Sequence, residues 1–209
     1  MREVEPADDL PDAAFVEDTA VFLGGRALLT RPGHPSRRDE VPSVAAALEE
    51  IGVPVVELPG RGTLDGGDVL RVGRRFYVGR STRTDSAGIE GFASVAAADG
   101  HETVPVRVER FLHLKTAATA LPDGAIVAAP ALVDADAFAA PEALPVPEPA
   151  GANVLVLGSD RVAVAASAPG TAALLRERGL TVEIADISEF EAVEAGMTCL
   201  SVLLPGVDA

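Results

Sequence analysis

The sequence is poor in the residues that mark secreted, metal-binding and membrane proteins. Cys199 is its only cysteine, so no internal disulfide can form and the fold does not depend on an oxidising compartment. The three histidines, His34, His101 and His113, show no paired ligand spacing, which argues against a structural zinc site. The stretch MREVEPADDLPD lacks the apolar core of a signal peptide, and Asp, Glu, Arg or Pro interrupts every apolar run before it reaches membrane-spanning length. We therefore expect a cytoplasmic protein that makes no membrane contact.

Positive charge is also scarce. The chain has 32 acidic residues against 17 basic ones, a formal net charge of -15. Such a field repels phosphate backbones and favours cationic small molecules, so we expect no nucleic-acid partner. Lys115 is the single lysine among the 17 basic residues. A genome-wide composition bias is the simplest explanation for the arginines, and the survival of one lysine is a hint that its position matters.

What the chain does contain is a repeated order of elements. Hydrophobic residues make up 48% of 209 residues, enough for one folded domain over 1–209. Periodicity predicts two strands, a helix and a strand in each of four successive units, with hairpins, helices and closing strands such as GGDVLRVGRRFYVGR, SAGIEGFASVAAADG and ETVPVRV. The third unit has only a short Ala-rich helix, over 134–140. The strand TCLSVLL near the end and REVEP at the start would belong to a fifth unit that lacks one strand and one helix.

A polar residue opens each unit, just before an apolar run. These residues recur roughly every 40 to 50 positions, which is a repeat signal; they are Asp18, Asp68, His113, Asn153 and Cys199. A small closed array would bring them toward one axis and so create a central pocket. The alternative is a plain α/β sandwich in which the spacing is chance.

Two of the unit-opening residues could catalyse nucleophilic chemistry. A cysteine nucleophile needs a lowered pKa or a nearby base, and His113 is the histidine in the matching position of its unit. The other interpretation is that Cys199 is a small buried hydrophobe and His113 a core histidine.

Acidic residues cluster at the openings of the first two units. Asp12, Glu17 and Asp18 lie in PDAAFVEDTA, and Asp65 and Asp68 in TLDGGDVL. Ordinary turn chemistry explains such residues equally well. Carboxylates beside a thiol would raise its pKa, unless a cation binds between them, and a guanidinium matches paired carboxylates well.

Six motifs occur in the order found in one enzyme family: FVEDTA, RPGHPSRRDEV, TLDGGDVL, FYVGRSTRT, LHLKT and MTCLSVL. Over almost its whole length the chain resembles the dimethylarginine dimethylaminohydrolases of the amidinotransferase superfamily. The resemblance implies an α/β fold, a five-fold α/β-propeller of ββαβ units, here with the fifth unit incomplete at the N-terminus. It also implies hydrolysis of Nω-methylated arginine to citrulline and a methylamine without a metal or an organic cofactor.

The resemblance further implies a role for each site residue. Cys199 would be the nucleophile, His113 the acid and base, and Asp65 the carboxylate that supports the histidine. Glu17 and Asp18 would hold the guanidinium group. The amino-acid end of the substrate would be bound by the remaining matches, which are Asp12, Arg37, Arg83 and the backbone carbonyl of Val193.

Two other functions stay open. An arginine deiminase shares this chemistry, but members of that group carry an acid two residues after the catalytic histidine, where this chain has Lys115. A non-catalytic propeller that binds cationic ligands or a protein partner is the second alternative. Family members usually carry a further strand and helix before the point matching Met1, including a loop that covers the substrate, so a misplaced start or a shortened chain is expected. A homodimer could close the edge that this gap exposes.

Overall fold

The computed structural model describes residues 2–134, 137–138 and 142–204, and in these residues the fold is α/β with four small sheets. The strands are β1 (Ala20–Leu23), β2 (Arg26–Leu29), β3 (Val55–Glu57), β4 (Val69–Val72), β5 (Arg75–Arg80), β6 (Glu102–Arg107), β7 (Ala118–Ala120), β8 (Ile126–Ala128), β9 (Ala143–Pro145), β10 (Leu155–Val156), β11 (Arg161–Ala165) and β12 (Thr181–Ala185). Each sheet takes three consecutive strands, so the sheets follow the chain from the first to the fourth.

Three α-helices connect strands within a sheet, one precedes the third sheet and one follows the fourth. The α-helices are α1 (Val41–Glu50), α2 (Ser86–Ala98), α3 (Leu114–Ala117), α4 (Pro169–Glu177) and α5 (Ser188–Glu191). Short 3-10 helices cover Val16–Thr19, Pro35–Glu40, Gly66–Asp68, Pro149–Ala152 and Met197–Leu200. Asp85 caps α2 by accepting the Gly88 N–H, which satisfies one of the free donors at the helix start.

The four sheets share one topology. The first two strands form an antiparallel hairpin, and the third runs parallel to the second, so the second strand is central. A parallel return needs a long crossover, and α1, α2 and α4 supply it in three of the sheets. In the β1–β2 hairpin, Gly24 and Gly25 have φ of 58° and 81°. These positive values suit the tight turn that the strand twist favours.

The hydrophobic core lies between neighbouring sheets. Leu23 and Leu28 of the first sheet pack with Val69 and Phe76 of the second. The second and third sheets share another apolar cluster, and the third and fourth share the next. The first sheet also packs against α1 and against the terminal residues Val4, Val202 and Leu204.

The predicted order of two strands, a helix and a strand is present in the first, second and fourth units, and the third unit has its three strands. The strands expected in GGDVLRVGRRFYVGR and ETVPVRV are β4, β5 and β6, and SAGIEGFASVAAADG contains α2. The helix predicted over 134–140 includes residues outside the described part of the chain.

Three local predictions differ from the structure. The prediction that LHLKTAATAL is a strand from its start is wrong, because His113 precedes α3 and the strand begins only at Ala118. TCLSVLL and REVEP form no strand in the described residues. Cys199 lies in a 3-10 helix, and residues 201–204 after it belong to no sheet. In every described sheet the second strand is the one that pairs on both sides, and no such strand follows Cys199 up to residue 204.

Among the described residues, every helix is too short or too polar to cross a lipid bilayer.

Candidate active site

Five short helical turns meet at the centre of the fold, and each carries or adjoins one of the unit-opening residues. The turn 16–19 contacts both 66–68 and 197–200, and α3 contacts both 66–68 and 149–152. The ring is closed by Asn153, whose side chain hydrogen-bonds to Thr198. The openings of the predicted units are thus neighbours in space, as the repeat pattern predicts.

His113 is buried among carboxylates. Its Nε2 lies 3.0 Å from Asp65 Oδ2 and 3.7 Å from Asp18 Oδ1. Burial lowers the pKa of His113, but Asp18, Asp65 and Asp68 outweigh it and raise the value to about 9. The imidazole is therefore protonated at neutral pH and ready to act as an acid.

Asp65 is held in place from two sides. Its Oδ1 accepts the Gly33 N–H at 2.8 Å, and its own N–H donates to Thr84 Oγ1 at 3.1 Å. A Cβ at Gly33 would lie 2.2 Å from the carbonyl oxygen of Arg83, so the two loops can approach only because that residue is glycine. The side chain predicted to support the histidine does contact it.

Asp18 pairs with a buried cation of the protein itself. Arg37 Nη1 donates to Asp18 Oδ2 at 2.5 Å, and the Gly67 N–H donates to Oδ1 at 2.8 Å. Burial alone would raise the pKa of Asp18, but His113 and Arg37 hold it below its usual value. Asp18 is consequently an anion.

Arg37 is predicted to bind a substrate carboxylate, and the structure places it between protein acceptors. Its guanidinium also donates to Glu40, with Nη2 2.7 Å from Oε2, and to the Phe15 carbonyl at 2.8 Å. Its Nη2 lies 3.4 Å from the carbonyl of Asp12, another predicted site residue. The side chain is 6% exposed, so Arg37 is part of the wall around Asp18.

Glu17 accepts hydrogen bonds from two segments of the ring that are far apart in sequence. Its Oε1 accepts from Lys115 Nζ at 2.6 Å, and its Oε2 accepts from Thr198 Oγ1 at 2.8 Å. The two partners are 98 and 181 residues away in sequence. Glu17 thereby connects the first unit to the residue before Cys199.

Cys199 lies in the 3-10 helix Met197–Leu200, where the Gly196 N–H points to its Sγ at 3.4 Å. Burial raises the pKa of the Cys199 thiol to about 12, and the carboxylates of Glu17 and Asp18 add to this. Without an added cation the residue is a thiol at neutral pH. This agrees with the expectation that carboxylates beside the thiol raise its pKa.

Two further predicted residues lie at the periphery. Arg83 is partly buried, and its Nη1 is buried without a hydrogen-bond partner in the described structure. A buried unsatisfied donor is costly, so this atom is suited to an incoming anion. Val193 is 62% exposed, three residues before Gly196.

Sequence reasoning placed Asp68 and Asn153 at unit openings without giving them a role. Asp68 Oδ1 accepts the Leu114 N–H at 2.9 Å, directly after His113, and Oδ2 accepts from Ser81. Burial raises the pKa of Asp68 to about 6, although His113 opposes the shift. Asp68 thus fixes the histidine's backbone, and Asn153 does the same for Thr198. Asp68 and Asn153, like Cys199, come just before an apolar run, and this position is the sequence signal that indicates a place in the site.

Asp18, Asp65 and His113 have ligand atoms within 4.8 Å of one another and form the group in the described residues that could hold a metal ion. However, Arg37 occupies Asp18, and His113 is protonated at neutral pH. A protonated imidazole has no free nitrogen lone pair, so His113 cannot be a metal ligand in this state.

Two cavities lie near the ring. One of about 130 Å³ adjoins the cysteine turn and is lined by residues such as Asn153, Gly196 and Met197. A larger one, about 380 Å³, opens beside the ends of β5 and β6 and is lined by none of the predicted site residues. The predicted site residues Glu17, Asp18, Asp65 and His113 converge at the ring and not at this larger cavity.

Comparisons with known proteins show which family the chain resembles. A family model described as arginine deiminase matches residues 3–145. The N(G),N(G)-dimethylarginine dimethylaminohydrolase of Streptomyces coelicolor is 48% identical over 202 residues, which cover 97% of this chain and 78% of that protein. The similarity runs through the whole ring of turns.

Two solved structures have closely similar folds. A cysteine-to-serine mutant of the Pseudomonas aeruginosa dimethylarginine dimethylaminohydrolase, complexed with citrulline, is 29% identical with a TM-score of 0.86, covering 94% of this chain and 78% of that chain. The N-terminal domain of ArgZ, an arginine dihydrolase from cyanobacteria, bound to product, is 26% identical with a TM-score of 0.80, covering 94% and 77%. On this sequence and structural similarity, the chain belongs to the dimethylarginine dimethylaminohydrolase family of the amidinotransferase superfamily.

Proposed function

We propose that the protein hydrolyses Nω-methylated arginine, either asymmetric dimethylarginine or monomethylarginine, to citrulline and a methylamine through a covalent intermediate on Cys199. The observation that carries this proposal is the ring itself. It places a protonated histidine, two buried carboxylates and the cysteine turn at one centre. The names of the Streptomyces and Pseudomonas relatives support the same substrate class.

The substrate guanidinium would bind at Glu17 and Asp18. Its positive charge would lie beside the Cys199 thiol, whose pKa is raised to about 12 by burial and by these same carboxylates. A cation at this point offsets the part of the pKa rise that the carboxylates cause and favours the thiolate. Substrate binding would therefore generate the nucleophile, and the thiol proton would leave to solvent.

The reaction would then take place in two steps. The Cys199 thiolate attacks the guanidinium carbon and forms a C–S bond, while His113 gives its proton to the departing methylamine as the C–N bond breaks. The now neutral His113 takes a proton from water. The resulting hydroxide attacks the same carbon, the C–S bond breaks, and citrulline and the cysteine are released.

The amino-acid end of the substrate would be held farther from the ring. The unpartnered Nη1 of Arg83 is the donor best suited to the substrate carboxylate, and Arg37 is the second candidate. Asp12 would bind the α-amine, and the Val193 carbonyl would accept a further hydrogen bond.

Acid quenching followed by intact-mass measurement tests the covalent step. We expect an adduct equal in mass to asymmetric dimethylarginine less dimethylamine, mapped to Cys199 and lost in Cys199→Ser. A mapped adduct on another residue, or turnover without any cysteine adduct, would contradict the proposal. Arginine is the comparison substrate, because the family model and ArgZ are described by arginine hydrolysis.

We further propose that residues 1–209 form one domain, a five-unit α/β-propeller in which the chain around Cys199 opens the fifth unit. The five turns in contact around one centre support this arrangement. A crystal structure in which the turns share no common axis would contradict it.

A further inference from the structure

Four residues around the cysteine turn form a closed hydrogen-bond circuit through their side chains and two backbone groups. Lys115 Nζ donates to Glu17 Oε1 at 2.6 Å, and Thr198 Oγ1 donates to Glu17 Oε2 at 2.8 Å. Asn153 Oδ1 accepts the Thr198 N–H at 2.8 Å. Asn153 Nδ2 donates to the backbone carbonyl of Lys115 at 3.0 Å, which closes the circuit. Because the circuit is closed, each member limits the positions of the others.

Lys115 supplies the only cation in this circuit. Glu17 is buried, and the Lys115 side chain is 18% exposed, so the pair is largely shielded from water. A buried carboxylate without a cation would be strongly unfavourable. The ammonium also binds a single oxygen, Oε1, and so leaves Oε2 to the hydroxyl of Thr198, the residue before Cys199.

An arginine could not take this place without changing the circuit. A guanidinium binds a carboxylate with two parallel hydrogen bonds, which would take both oxygens of Glu17 and release Thr198. An arginine here would also place a guanidinium on Glu17, which is itself proposed to bind the guanidinium of the substrate. The chain uses arginine at 16 of its 17 basic positions, yet it has lysine here.

We infer that Lys115 is a positioning residue for Cys199: its ammonium holds Glu17 so that Oε2 fixes Thr198 and, through it, the turn that carries the nucleophile. The inference rests on the proposed function for its kinetic consequences, but not for its structural ones. It predicts that charge alone is insufficient and that the single-oxygen contact of lysine is needed.

Steady-state kinetics with asymmetric dimethylarginine separate positioning from binding. In Lys115→Met, we expect kcat to fall about 10- to 100-fold, because a misplaced nucleophile reacts poorly. KM should rise no more than about threefold, since Asp18, the other proposed guanidinium acid, keeps its contacts to Arg37 and Gly67. Lys115→Arg should lose a similar part of kcat although it keeps the charge.

A double variant tests whether the effect passes through Thr198. Thr198→Val removes the hydroxyl and keeps the shape, and we expect Lys115→Met/Thr198→Val to be no slower than the slower single variant. Arg26→Met is the matched control, because it breaks a half-buried ion pair with Asp99 that is separate from the circuit. Full activity in Lys115→Arg, or losses that multiply in the double variant, would overturn the inference.

Amide hydrogen exchange of the peptide covering 196–200 gives a measure that needs no turnover. Exchange there should become faster in Lys115→Met and Lys115→Arg, and stay at the wild-type rate in Arg26→Met. Unchanged exchange in both lysine variants would contradict the inference. If wild-type protein releases no citrulline, the proposed function fails, whereas the exchange result still decides the role of Lys115.

Discussion

His113 Nε2 lies 3.0 Å from Asp65 Oδ2, and Asp65 is itself fixed by the Gly33 N–H at 2.8 Å. The imidazole of His113 is thus oriented by a carboxylate whose own position is fixed by a backbone hydrogen bond. Burial lowers the pKa of His113. Asp65, together with Asp18 and Asp68, outweighs this effect and raises the pKa to about 9.

Replacement of Asp65 by asparagine should weaken both effects. In Asp65→Asn we expect the pKa of His113 to fall from about 9 because one of its carboxylates is lost. The rate kcat should fall by about 10²-fold, the lower range for a general acid–base group. NMR titration of the His113 ring gives the pKa, and Asp99→Asn serves as control. A His113 titration curve unchanged by Asp65→Asn would contradict this account.

The His113 environment also predicts how stability depends on pH. The folded pKa, about 9, is above the ordinary value of 6.5, so the charged histidine stabilises the fold fully below pH 6.5. This stabilisation is lost as the pH rises through about 9. The contribution of the charged histidine to the free energy of unfolding is on the order of 3 kcal/mol, from the linkage between protonation and folding.

Urea unfolding at pH 6 and pH 10 measures this contribution. The stability difference between wild type and His113→Gln should shrink by about 3 kcal/mol between the two pH values. Groups that do not interact with His113 are shared by both proteins and cancel in the comparison. Asp18 and Asp68, whose pKa values His113 lowers, contribute to the difference as part of the same interaction. Parallel pH profiles of the two proteins would show that His113 gains nothing from its carboxylates.

Arg37 should be more important for stability than an exposed arginine. Arg37→Met leaves Asp18 and Glu40 buried without their cation, and we expect a loss of about 3 to 5 kcal/mol. The control Arg75→Met breaks an exposed pair with Glu102 and should cost much less, because water screens that pair. Urea unfolding of both variants checks the difference, and equal losses would mean that the Asp18–Arg37 pair is not structural.

Arg83 should matter for substrate affinity and not for the fold. Its buried Nη1 has no protein partner in the described structure, so a substrate carboxylate would provide the missing acceptor. In Arg83→Met we expect KM for asymmetric dimethylarginine to rise on the order of 10- to 100-fold, as for a lost charge-assisted hydrogen bond. The same variant should lose little efficiency on a methylated guanidine without a carboxylate. An equal loss on both substrates would exclude Arg83 from carboxylate binding.

Much of the fold could be predicted from the chain, because each unit opens with a polar residue before an apolar run. That register correctly placed Asp18, Asp68, His113, Asn153 and Cys199 in one ring. It failed for the chain after Cys199, since an apolar run such as LSVLL resembles a strand whether or not a partner strand is present.

The contacts within the site were harder to predict. Arg37 reaches Asp18 across 19 residues, and Lys115 reaches Glu17 across 98. Periodicity carries no information on such pairs, and a loop arginine is usually solvated. The resemblance to a family suggested which residues share a site, but not that Asp18 and Glu17 are each paired with a cation of the protein.

Product formation tests the central claim most directly. Purified protein is incubated with asymmetric dimethylarginine, with arginine as competing substrate, and citrulline and dimethylamine are measured together. Equal amounts of both products, formed by wild type and abolished in Cys199→Ser, are the result that we predict. No dimethylamine from wild type, or undiminished release by the serine variant, would contradict a cysteine-dependent methylarginine hydrolase.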